Sequence, residues 1–195
     1  MKWKECKSLI SSDLERLTSV NKWGGGGVKY LLFNASFRIT FWFRIGSYLM
    51  TKRNIMAKFC LKCVHLIHKH NQYLTGIQIG IGTKIGKGVT FPHYSCIVIN
   101  GGAIIGDNCT IYHGVTIGSV RGPKGGAPRI GNNVVIASGA KVIGNIAIGN
   151  NVMIGSGTIV VTDIPNNSVV VGNPGRVISE QGVEHTKYYS KDYDS

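Results

Sequence analysis

A branched aliphatic residue returns every six residues between Ile79 and Val160, often with glycine after it. The registered positions are Ile79, Ile85, Phe91 and Ile97, then Ile105, Ile111 and Ile117, then Ile130, Ile136, Val142, Ile148, Ile154 and Val160. Gly80, Gly86, Gly106, Gly118, Gly131, Gly149 and Gly155 each follow one of them. An amphipathic helix repeats its apolar positions every three to four residues and a half-buried strand every two, so neither fits. A six-residue period is the mark of a hexapeptide β-helix, in which each repeat gives one short strand and stacked coils bury the aliphatic column. Glycine beside the column suits a turn that needs unusual φ or close backbone approach. An all-β sandwich would space its strands at roughly 8 to 12 residues, which thirteen registered positions contradict.

The chain divides near residue 73. Residues 1–72 read as a basic α-helical segment, residues 73–178 as the β-helix with an irregular loop at 119–129, and residues 179–195 as a polar tail, loose from Gln181 onward. In the first part Trp3, Cys6, Ile10, Leu14 and Leu17 fall at helical spacing, and Trp23 with Gly24 to Gly27 breaks that helix. Val28 to Met50 is apolar and aromatic, but Asn34, Arg38 and Arg44 interrupt it, so it fails as a membrane span of about 20 apolar residues. Lys52 to Asn54 is a polar break, and Ile55 to His70 reads as a further helix. Five cysteines with no secretory leader argue against a disulfide framework and for a cytoplasmic protein. Cys60 and Cys63 form a lone C-x-x-C, read as two core residues on a helix.

Charge is unevenly shared. Residues 1–72 carry thirteen Lys or Arg against three acids, a net of +10, and the remainder only +3. A solvated basic face, peripheral docking on anionic lipid at the inner face of the membrane, and nucleic-acid binding all fit a basic segment. No recognition motif supports the last, so no nucleic-acid partner is expected.

A three-faced coil of hexapeptides advances eighteen residues per turn. His93 and His113 are twenty apart, but the register slips by two residues, assigned to the interval between Ile97 and Ile105. With the slip removed, both histidines take the third place of their hexapeptides and stack at one corner of neighbouring coils, about 4.8 Å apart. Ile117 to Ile130 is seven residues longer than one repeat. If the excess is extruded as the loop Ser119–Arg129, the column continues through Ser138 and Ser156. The loop, with Arg121, Lys124 and Arg129, would then project beside the histidines as a flap over an anion. Histidine titrates near neutrality and serves as a general base without special tuning. Two imidazoles could instead chelate a metal, but the column supplies no third ligand of the Cys, Asp or Glu type, so no metal is expected.

Residues 76–178 resemble the hexapeptide-repeat acyltransferases of the serine acetyltransferase type. The matching segments are TKIGKGVTF at 83–91, IYHGVTIG at 111–118, IASGAKVIGNIAIGNNVMIGSGTIVVTDIP at 136–165 and VVGNPGRVI at 170–178; FRITFWFRIGSYL at 37–49 is similar to the family's last N-terminal helices. The resemblance implies a left-handed parallel β-helix that assembles as a homotrimer, with acetyl-CoA bound between subunits. It implies that His93 is the catalytic base and that His113, with Arg121 and Lys124, orients or binds the acceptor. For the acetyl-CoA site it points to Gly118, Ala137, Ser138, Gly155 and Ser156, with Lys141 or Arg176 for the phosphates. Three positions depart from the family: Pro92 stands where an Asp precedes the base, Gln78 lies in a segment that usually carries another Asp, and Ala127 replaces a loop His. Without those carboxylates a serine ammonium lacks its partners. The departures, with a helical segment shorter than the family's, look more like colanic-acid and capsular polysaccharide O-acetyltransferases. The expectation is therefore acetyl transfer to a sugar hydroxyl, free or lipid-linked, with serine O-acetylation as the alternative and a non-catalytic β-helix scaffold as a third reading.

Overall fold

The computed structural model of the chain describes residues 1–18 and 25–189. Four helices come first: α1 (Trp3–Glu15), α2 (Gly25–Phe33), α3 (Ala35–Met50) and α4 (Ile55–Thr75). The expected break at Trp23 and Gly24 lies outside the described residues, and Gly25 to Gly27 already belong to α2. Asn34 and Asn54 cap α3 and α4, each side chain accepting the N–H of the residue three ahead, Phe37 at 2.8 Å and Ala57 at 2.7 Å. Gly76, at φ 69°, ends α4 in the left-handed conformation and turns the chain directly into the first strand.

From Ile77 the chain winds through three parallel sheets. The first holds β1 (Ile77–Ile79), β3 (Ile97–Ile99), β6 (Thr116–Gly118), β9 (Lys141–Ile143) and β12 (Ile159–Val160). The second holds β2 (Lys84–Ile85), β4 (Ile104–Ile105), β7 (Arg129–Ile130) and β10 (Ala147–Ile148). The third holds β5 (Thr110–Ile111), β8 (Val135–Ile136), β11 (Met153–Ile154) and β13 (Val169–Val171), with β14 (Arg176–Ser179) antiparallel on its edge. Each coil visits the three sheets in turn, so a prism encloses one core. Ile79, Ile85, Phe91, Ile105, Ile111, Ile117, Ile130, Ile136, Val142, Ile148, Ile154 and Val160 all point into it and are buried.

The register corrects one position in the sequence reading. Ile79 pairs with Ile99, not with Ile97, while Ile85 pairs with Ile105 and Ile99 with Ile117. The two extra residues therefore lie before Ile97, in the turn that carries His93, and not between Ile97 and Ile105. The apolar pattern could not show this, because Ile97 and Ile99 face inward together. The seven-residue excess falls where expected: Ile105 pairs with Ile130 and Ile117 with Val142, each twenty-five residues on.

The corner between the second and third sheets explains the glycines. A Cβ on Gly106 would lie 2.6 Å from the backbone of Gly131, and one on Gly131 would lie 2.8 Å from that of Gly149, so close approach of successive coils excludes any side chain there. Two ladders finish the same corner. Asp107, Asn132, Asn150 and Asn166 each accept a backbone N–H from the preceding coil, at 2.7 to 2.9 Å. Asn108, Asn133, Asn151 and Asn167 all take left-handed backbone, and Asn133 donates to Asn151 at 2.9 Å.

The helices are fastened to the prism by buried polar contacts. Arg44 of α3 pairs with Asp13 of α1 (Nε to Oδ2, 2.9 Å) and donates to the carbonyls of Ile85 at 2.6 Å and Gly86 at 2.5 Å. Asp13 also accepts the N–H of Val89 at 3.1 Å. Arg16 reaches Asn108 O and Thr110 Oγ1 at 3.1 and 2.8 Å. Cys6, Ile10 and Leu14 of α1 pack on Phe37 of α3, and Ile39 and Phe43 from the same helix enter the prism core. Cys60 and Cys63 are borne on α4 as read, but Cys63 is exposed and Cys60 only half-buried, because the inward face of α4 runs through Ala57, Val64, His68, Asn71 and Thr75. Residues 181–189 are not loose. They form α5 (Gly182–Thr186) and a single 3-10 turn (Lys187–Tyr189), anchored by the N–H groups of Gly182 and Val183 on Asn167 at 2.9 and 2.7 Å. Residues 190–195 of the expected tail lie outside the described residues.

Two expectations follow. Arg44→Ala leaves Asp13 charged and buried and should cost about 3 to 5 kcal/mol in urea denaturation, whereas Arg44→Met combined with Asp13→Leu should recover much of the loss. His68 is buried with Nε2 at 2.9 Å from Ile79 O, and burial holds its imidazole below the usual histidine range. The unfolded chain therefore takes up the proton first, so this contribution to stability is complete above pH of about 6.5 and is lost as pH falls below it. Denaturation midpoints at pH 7.5 and 5.5 should differ less for His68→Leu than for the parent chain.

Candidate active site at the histidine corner

The corner between the third and first sheets carries the polar column. The bridge Thr90 to Thr110 and the pair Ile111 to Ile136 stack His93 under His113 and His113 under Ser138. The pair Ile136 to Ile154 brings Ser156 next. The imidazole centroids of His93 and His113 are 6.2 Å apart and nearly perpendicular, and His113 Nδ1 lies 3.5 Å from Ser138 Oγ. Beside this column runs one of glycines: Gly114, Gly139 and Gly157 adopt φ of 70°, 74° and 68°, and the N–H of Gly139 and of Gly157 each bond the carbonyl of the polar residue one coil before, His113 and Ser138.

His93 sits in the enlarged turn Pro92–Cys96. The two additional residues lift this turn out of the regular corner, with Ser95 at φ 150° and Cys96 at φ 50°. In consequence the N–H of Gly114 bonds Ser95 O rather than His93 O. Both histidines are solvent-exposed in the single chain.

Two aromatic residues that sequence reading missed complete the corner. The Tyr112 ring lies 5.9 Å from that of His93, and Tyr189, carried in by the C-terminal turn, meets Tyr112 edge-on at 6.2 Å. Burial, then the neighbouring Tyr189 and its hydrogen bond, push the Tyr112 phenol above its ordinary range. Tyr112 could have been found, since it precedes His113 in the same repeat. Nothing periodic in residues 181–189 announces Tyr189.

The remaining candidates divide. Ala137, Ser138, Gly155 and Ser156 occupy the turns of the histidine corner. Lys141 is near but engaged: its Nζ donates to Gly114 O at 2.7 Å, fastening the His113 turn, so within one chain it is not a free phosphate ligand. Gly118 lies at the far edge of the first sheet, where a Cβ would meet Ile143 Cδ1 at 2.8 Å. Arg176 is on β14, at the end of the coil stack. Arg121 and Lys124 are exposed on the loop, which closes on itself through the Val120 to Gly126 bridge. That loop joins β6 to β7 and springs from the corner between the first and second sheets. It does not flank the histidines of its own chain, contrary to the sequence reading, because the first sheet separates the two corners. Among the described residues no three His, Cys, Asp or Glu side chains gather in a metal-binding group.

Residues 127–162 match the family model described as bacterial transferase hexapeptide (six repeats). A serine acetyltransferase of Staphylococcus aureus (strain Mu50) is 44% identical over 124 residues, covering 63% of this chain and 58% of that protein. One from Synechococcus elongatus is 40% identical over 119 residues, covering 60% and 49%. The soybean serine acetyltransferase solved in complex with serine superposes with a TM-score of 0.74 at 28% identity, covering 90% of this chain and 70% of that one. This chain is similar to serine acetyltransferases. It spans about half the length of the curated relatives it matches.

These likenesses overturn the expected sugar acceptor and the closer resemblance to polysaccharide O-acetyltransferases. That reading rested on Pro92, Gln78 and Ala127. An absence of charge at three positions says what a pocket lacks and cannot specify a sugar. Gln78, moreover, points outward from β1, and Ala127 packs by Gly102 at the loop's corner, so within one chain neither stands in the histidine column.

The histidine turn depends on left-handed backbone at Gly114, where a Cβ would also lie 3.3 Å from Gly139 Cα. Gly114→Ala should cost about 1 to 2 kcal/mol of stability by chemical denaturation.

Proposed function

We propose that this chain is an acetyl-CoA-dependent O-acetyltransferase whose acceptor is the hydroxyl of serine. The observation that carries the reading is the stacked histidine pair, set in a prism of which the matched part is 40 to 44% identical to serine acetyltransferases. In this reading His93 is the general base. It takes the proton of the acceptor hydroxyl as the oxygen attacks the thioester carbonyl, and backbone N–H groups stabilise the tetrahedral oxyanion. Collapse of the intermediate breaks the carbon–sulfur bond and expels coenzyme A as its thiolate. His113, steadied by Ser138, orients the acceptor. The pantetheine arm runs past Ala137, Ser138, Gly155 and Ser156, with Arg176 near the phosphates.

The basic loop supports a shared site. Arg121 and Lys124 stand one corner away from the histidines of their own chain, so they can serve a site only beside another subunit's histidine corner. We therefore propose a homotrimer of left-handed prisms, each loop reaching a neighbour's histidines, working in the cytoplasm where acetyl-CoA is made.

Release of free thiol from acetyl-CoA, followed with serine and with a panel of sugars, tests the acceptor. Turnover should require serine, and turnover with a sugar alone would contradict the reading. His93→Ala should lower the rate by about 10²- to 10⁴-fold. A nearly unchanged rate would remove His93 from the role of base.

A further inference from the structure

Helix α4 has two apolar faces, and its own fold covers only one. Ala57, Val64, His68, Asn71 and Thr75 face inward and are buried. At 100° per residue, Ile55, Phe59, Leu66 and Tyr73 fall on the opposite side, where a surface helix ordinarily places charge. They are 83%, 65%, 75% and 74% exposed. Met56, Ile67 and Leu74 widen the stripe on one flank and are exposed too. The other flank is a row of Lys58, Lys62, His65 and Lys69, spaced i, i+4, i+7 and i+11. Lys69 lays its ammonium 5.0 Å from the centroid of the Tyr73 ring, so the cationic row and the apolar stripe share an edge. The twenty-one residues of α4 contain no acid.

An apolar stripe of this size, broken by the exposed His70 on its midline between Leu66 and Tyr73, marks a contact surface. Charge decides which occupant suits it. A second copy of this chain would have to answer the lysine row with carboxylates, and the chain has nine acids in all. Asp13 is buried against Arg44, Asp107 and Asp163 accept backbone N–H bonds, and Glu184 pairs with Lys187. Among the described residues no acidic row is left to match four basic residues along one helix. An anionic lipid surface offers both components, negative headgroups above and hydrocarbon beneath. Among the described residues no helix is long and apolar enough to cross a membrane, and α4 with its lateral cationic row has the form of a helix that lies in the interface.

We propose that α4 docks this protein on an anionic membrane, with Ile55, Phe59, Leu66 and Tyr73 entering the acyl boundary and Lys58, Lys62, His65 and Lys69 at the headgroups. The contact is independent of the acyl-transfer reading, since α4 contributes no residue to the histidine corner.

Co-sedimentation of the full chain with vesicles of phosphatidylglycerol and phosphatidylcholine, against vesicles of phosphatidylcholine alone, tests it. The protein should pellet with the anionic vesicles only. Replacing Lys58, Lys62 and Lys69 together by Gln should weaken partitioning about a hundredfold, each lysine contributing roughly fivefold. Phe59→Ser with Leu66→Ser should abolish binding while leaving thiol release from acetyl-CoA and the mass of the assembly unchanged. Failure of the parent chain to pellet with anionic vesicles would overturn the proposal, whatever its enzymatic activity. A smaller assembly after the Phe59 and Leu66 changes would overturn it as well, because the stripe would then be a contact between copies.

Discussion

Stacking of each coil on the next is the constraint from which the rest of this structure follows. In a parallel coil every strand must donate and accept hydrogen bonds with the strand one turn away, because a buried backbone group left unpaired is costly. Residues one turn apart are thereby locked into columns, and any surplus residue must leave the prism at a corner. The two surpluses in this chain do so in different ways. Two residues swell the turn of His93, and seven more are thrown out as the hairpin loop after β6. Because the first surplus follows His93, His113 stacks over it twenty residues on, and only beyond that turn does the register return to eighteen.

The corners divide the work. One is made of close-packed glycines and of ladders of Asp107 and asparagines, whose side-chain oxygens and amides bind coil to coil. Another carries the histidines, backed by left-handed glycines that bring the neighbouring backbone N–H groups close. The third projects the basic loop. The helical layer closes the open end of the first coils through Arg44, which satisfies two carbonyls of the β2 turn while neutralising Asp13. The C-terminal turn returns along the third sheet and sets Tyr189 against Tyr112.

Much of this was legible in the sequence, because stacking is arithmetic. The prism, the polar column through His93, His113, Ser138 and Ser156, and the extruded loop can all be counted from the aliphatic period. What could not be counted depended on geometry that hydropathy does not encode. Ile97 and Ile99 are equally apolar and both buried, so the position of the slip was ambiguous by two residues. The loop's distance from the histidines depends on which edge of the first sheet it leaves. Lys141 reads as a free cation until its bond to Gly114 O is seen. Residues 181–189 are polar and aperiodic, yet backbone bonds to Asn167 hold them. Cys60 and Cys63 read as core residues of a helix, although Cys63 faces outward with most of the apolar residues of α4. The acceptor was misread because missing charges were taken as a specification.

The central claim is that the stacked histidines mark the place where an acyl donor and a hydroxyl acceptor meet. A crystal structure of the protein with coenzyme A and serine tests it most directly. The account predicts the coenzyme thiol and the serine hydroxyl converging within hydrogen-bond reach of the His93 imidazole, with a second subunit's loop over the site. A thiol bound at another corner of the prism, or a serine remote from both histidines, would contradict it.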